Sequence, residues 1–85
     1  MTIEEAIADL TTRIKNVSPE AVIRVQRRSS EEASIRVYAP VDHENALKAA
    51  TQEITLNLLT GEGLDVQVLV YDIATSLPPA EQPSL

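Results

Sequence analysis

Asp42-His43-Glu44 is the one cluster in this chain with metal-ligand character, and His43 is its sole histidine. Consecutive residues at a helix start point roughly 100° apart, so these three side chains diverge from any single ion. The same triplet suits a plainer role. Asp42 is a good N-cap, and Glu44 in the first turn faces the positive end of a helix. His43 would serve as a ligand only for an ion shared across a dimer interface. The chain contains no Cys, which excludes thiolate catalysis, thiolate metal sites and disulfides. No nucleophile and base are spaced for covalent catalysis. Gly61-Glu62-Gly63 follows a helix pattern and lacks the third glycine and following helix of a dinucleotide loop, so it reads as a helix cap and turn. Arg27-Arg28-Ser29-Ser30 has the form of a basophilic kinase site in an exposed turn, a form common by chance. No catalytic residue, cofactor site or resident metal is therefore expected.

A second set of residues suits recognition rather than catalysis. Tyr38 and Tyr71 are the only aromatic side chains, and Arg24, Arg27, Arg28 and Arg36 place four of the seven bases within one stretch. Tyr and Arg concentrate at interface centres, because each offers apolar area with a polar handle. What these residues can do depends on the elements that carry them.

Ile3, Ile7, Leu10, Ile14 and Val17 form one helical stripe from Thr2 to Val17. Thr2 and Glu5 make a capping box at its start, and Ser18-Pro19 stops it. Residues 21–28 and 33–39 alternate as strands around the polar loop Ser29-Ser30-Glu31-Glu32, which predicts an antiparallel hairpin. Leu47, Ala50, Ile54 and Leu58 then define a helix from Asp42 to about Thr60. Gly61 stands where a left-handed cap is wanted, with Gly63 loosening the exit. Residues 64–71 alternate as a third strand.

The order α-β-β-α-β predicts an α+β two-layer sandwich, with two helices on one face of a three-stranded mixed sheet. The third strand should run parallel to the second, and the alternation leaves open which strand it pairs with. Residues 1–73 form the expected single domain. Residues 74–85 hold three of the five prolines without periodicity and read as a flexible tail.

The pattern places Ile23, Val25, Ile35, Val37, Val66, Val68 and Val70 under the helices. The opposite, uncovered face carries Val22, Arg24, Arg28, Arg36, Tyr38, Leu69 and Tyr71, together with Gln26, Ser34, Asp65 and Gln67. These residues are the candidate interaction face. Three uses compete: an ordinary solvated face, a protein-binding face serving a homodimer or another protein, and a stacking surface for single-stranded nucleic acid. The chain has 13 acids against 7 bases, for a net charge of −6, which disfavours nucleic acid and anionic membrane. No apolar run approaches the roughly 18 residues of a membrane span, and no signal-type segment opens the chain, so a cytoplasmic protein is expected.

The stretches Val37-Tyr38-Ala39-Pro40-Val41-Asp42 and Val66-Gln67-Val68-Leu69-Val70, set in the α-β-β-α-β order, resemble the cytoplasmic C-terminal domain of cation diffusion facilitator transporters. The likeness spans about residues 3–72 as a pattern, and the composition is also similar to that of small bacterial proteins. The resemblance implies dimerisation through the small domain. It implies no metal ligand, because Leu47 and Lys48 stand in the first turns of the helix where that family carries a histidine. The order is also similar to a type II KH domain, but the G-x-x-G loop of that family has no match.

Overall fold

A computed structural model describes residues 1–76. Helix α1 spans Ile3–Val17, strand β1 Val22–Arg27, strand β2 Glu32–Ala39, helix α2 Glu44–Asn57 and strand β3 Asp65–Asp72. The architecture is α+β in the expected order, with a three-stranded mixed sheet. Strand order is β1-β2-β3. Strand β1 pairs antiparallel with β2, and β3 pairs parallel with β2, from Glu32 opposite Asp65 to Ala39 opposite Asp72. The partner of the third strand, open in the sequence, is the second.

The capping box forms as the sequence implies. Thr2 Oγ1 accepts from the Glu5 N–H at 3.2 Å, and Glu5 Oε1 accepts from the Thr2 N–H at 2.9 Å. That bond holds the Glu5 carboxyl below its ordinary range. At the far end the Ser18 N–H donates to Ile14 O at 2.8 Å before Pro19 turns the chain away. Ile3, Ala6, Leu10 and Ile14 are the buried stripe of α1, with Ile7 and Val17 packed at its margin.

The second helix differs from the sequence expectation at both ends. Val41–His43 form a short 3-10 turn, and His43 occupies the cap position of α2 without a side-chain bond to the helix. Asp42 is therefore inside that turn and is not the cap. Past Asn57 the chain widens into a π turn, Leu58–Glu62, and Gly63 takes the left-handed conformation at φ 70°. The extra residue in the wide turn moves the cap from Gly61 to Gly63, the one position here that needs a glycine.

The core lies between both helices and one face of the sheet. Ile35 and Val37 of β2 are fully buried there, with Leu10, Ile14 and Leu47 against them in the same cluster. Burial fades toward the edge strands. Ile23, Val68 and Val70 are partly covered, Ile54 on α2 is half-buried, and Val25 is 44% exposed. Two helices cover the middle of a three-stranded sheet but not its flanks, so Ile54 and Val68 are marginal rather than central. After β3, the Thr75 and Ser76 amides bond Asp72 O at 3.1 and 2.7 Å, and the Ala74 N–H bonds Asp72 Oδ1 at 2.9 Å. The rest of the expected tail lies outside the described residues.

Candidate interaction face

The register stacks the uncovered face into rows that cross all three strands. The first row is Val22, Tyr38 and Tyr71; the second is Arg24, Arg36 and Leu69; the third is Gln26, Ser34 and Gln67. Beyond them Glu32 stands opposite Asp65, and the Arg28 N–H donates to Glu32 O at 2.9 Å. One end of the face is therefore apolar and aromatic. The other is polar, with a shallow depression lined by Arg28, Glu32, Ser34, Asp65 and Gln67.

The two tyrosines meet within one chain. Their rings stack with centroids 5.3 Å apart and planes 21° apart, a cross-strand aromatic pair. Tyr38, on the central strand, is only 5% exposed, whereas Tyr71 on the edge is 37% exposed and Leu69 38%. The free aromatic surface is therefore the outer side of Tyr71, bordered by Leu69. Of the two tyrosines that the alternation places on this face, only Tyr71 is open.

The second row breaks a local rule. Arg24 and Arg36 are directly opposed across the antiparallel pair, and like charges in that position destabilise a sheet. Both are half-buried. The Arg24 guanidinium reaches sideways, Nη1 donating to Ile23 O at 3.1 Å. The alternation alone places Arg24, Arg28 and Arg36 on this face without saying where on it they fall. The register puts Arg24 and Arg36 in its middle, and only Arg28 at the end.

No protein-family model, curated protein or solved structure matches this chain.

His43 has a structural partner. Its Nδ1 lies 2.7 Å from Ser18 Oγ, a fully buried hydroxyl at the end of α1, so the ring ties α1 to the start of α2. Among the described residues no group of three His, Cys, Asp or Glu converges as a metal site would require. Among them, too, no helix is long and apolar enough to cross a membrane.

Two polar contacts, the Thr51 back-bond and the Arg27–Glu4 ion pair, escaped the sequence reading. Thr51 is buried on α2 and returns its hydroxyl to Leu47 O at 2.9 Å. Arg27 points to the helix side of the sheet and pairs with Glu4 of α1. Its place opposite Ala33 in the strand alternation was the available signal.

Proposed function

We propose that this chain is a non-enzymatic, cytoplasmic protein-interaction module whose uncovered sheet face binds a second copy of itself. The observation that supports the reading is the exposed side of Tyr71 and Leu69, set beside Arg36 on the same face. A partner layer that supplies aromatic faces and acids suits the exposed Tyr71 edge and the Arg36 guanidinium beside it. The chain itself carries both. A two-fold axis lying in the face and crossing the strands between the first two rows sets the tyrosine row of each copy on the arginine row of the other. The acidic end, with Glu32 and Asp65, then flanks the partner. Net negative charge opposes the approach only over about 8 Å at physiological salt.

The test is sedimentation of the parent chain and of Arg36→Glu, at about 100 μM and after dilution, where mass action favours the monomer. The expected result is a parent that associates with concentration and an Arg36→Glu variant that associates less. A parent that stays monomeric throughout overturns the homodimer. If that monomer instead binds oligo-U or oligo-T with a steep salt dependence, the face serves single-stranded nucleic acid.

A further inference from the structure

The two edges of the sheet are not equivalent. The Asp65 N–H donates to Glu31 O at 2.8 Å and the Ile73 N–H to Ala39 O at 3.0 Å, so the odd-numbered residues of β3 bond toward β2. By the alternation of a parallel ladder, the N–H and C=O of Val66, Val68 and Val70 point outward. Among the described residues, no group bonds them. Leu64 and Asp72, at the two ends, are already engaged: the Leu64 N–H donates to Leu58 O, and Asp72 O receives Thr75 and Ser76. The strand between has no Pro, Lys, Arg or Gly, the devices that ordinarily keep an edge from pairing.

At the β1 edge two outward carbonyls, at Ala21 and Ile23, are covered by basic side chains. Lys15 Nζ donates to Ala21 O at 2.7 Å, and Arg24 Nη1 to Ile23 O at 3.1 Å.

We infer that the β3 edge pairs antiparallel with the β3 edge of a second copy, around a two-fold axis at Val68, joining two sheets into one of six strands. The occupant follows from the symmetry of the free groups. With Val68 opposite Val68 and Val66 opposite Val70, every free donor and acceptor is used, giving about six hydrogen bonds across the axis. Centring on Leu69 instead would set Val66 against Asp72, whose carbonyl is taken. The chosen register also keeps acids apart, with Asp65 facing Tyr71 and Asp72 facing Leu64. On the helix side Val68 is bordered by Thr51, Gln52 and Thr55, which bring no charge to the axis. Lys48 beside them holds Glu44 at 2.7 Å. The chain's own C-terminal segment is a poorer occupant, because Pro78, Pro79 and Pro83 have no N–H for a ladder.

The inference stands apart from the face contact, since Arg36 lies on the face and not at the edge. In a chain without cysteine, a single Val68→Cys reports the axis directly. Oxidation should yield a disulfide-linked dimer, whereas Val25→Cys on the other edge stays monomeric. Val68→Cys combined with Arg36→Glu should cross-link equally well. Val68→Pro removes an outward N–H without touching the β2 ladder, and should abolish any concentration dependence of exchange at the Val66 and Val70 amides. If Val68→Pro does not fold, the cross-link decides alone. Absence of the Val68 cross-link, a Val25 cross-link of equal yield, or loss of the Val68 cross-link in the Arg36→Glu background would each overturn the edge contact. Loss in that background would mean that Val68 meets its mate only because the faces stack.

Discussion

β1 and β3 flank the same central strand, and they are finished differently. β1 holds Arg24 and Arg27; its Ile23 carbonyl accepts from Arg24, and the Ala21 carbonyl just before it accepts from Lys15. β3 is two residues longer, carries acids only at its ends and leaves its outward groups unbonded among the described residues. A chain with seven bases has placed several of them on one edge and none on the other. Edges are blunted against pairing by charge and by local capping, so the difference marks β3 as the edge left available. The same selectivity runs across the sheet. The helix face of β2 is sealed by apolar packing, and its other face sets Arg36 opposite Arg24.

The largest expected effect contrasts the centre with the edges. Ile35→Ala, in the fully buried middle of β2, should cost on the order of 2–5 kcal/mol in urea or thermal unfolding. Val25→Ala on the β1 edge should stay within about 0.5 kcal/mol. Ile54→Ala should fall between them, because its side chain is half-buried. Equal losses at Ile35 and Val25 would mean that the helices cover the sheet evenly.

A smaller effect comes from stripping the guard off β1. Lys15→Met keeps the apolar stem and removes the donor to Ala21 O. A loss of about 1 kcal/mol is expected, together with new concentration-dependent association through β1. Unchanged sedimentation alongside the stability loss would show that the lysine caps the carbonyl without protecting the edge.

Smaller again, Arg36→Glu turns a like-charge cross-strand pair into an opposite one. It should stabilise the monomer by about 0.2–1 kcal/mol while weakening association. A variant destabilised in dilute solution would show that the opposed arginines do not strain the lone chain.

The smallest effect is in acid. Thr2 lowers the Glu5 pKa from its ordinary 4.5. A carboxyl depressed in the folded chain adds stability above its unfolded pKa and loses it as pH falls through the folded value. Glu5→Gln should therefore flatten the acid limb of the stability profile between about pH 5 and pH 3. An unchanged limb would mean that the capping box frays in solution.

Much of the fold was legible because its signals are local. The α1 stripe, the capping box, the hairpin alternation and the crossover helix each depend on residues a few positions apart. The sequence signal failed where geometry is set by distant partners. Nothing in residues 64–71 says that β3 lies against β2, so neither the Tyr38–Tyr71 stack nor the central place of Arg36 could be foreseen. The two glycines were visible, but which of them turns left-handed depends on a widened turn that periodicity does not encode. Ile54 matched the helical stripe, yet its burial depends on how far α2 reaches over an edge strand. The candidate face was identified by alternation alone. Its free edge was not, because edge status belongs to strand order.

Amide hydrogen exchange on the parent chain, in dilute and concentrated solution, compares the two edges in one experiment. Outward amides exchange readily in the monomer and slow when a partner strand pairs with them. Protection at Val66, Val68 and Val70 should rise with concentration, while Ile23 and Val25 on β1 stay unchanged. Concentration-independent exchange at all five amides, or a rise confined to β1, would contradict the account.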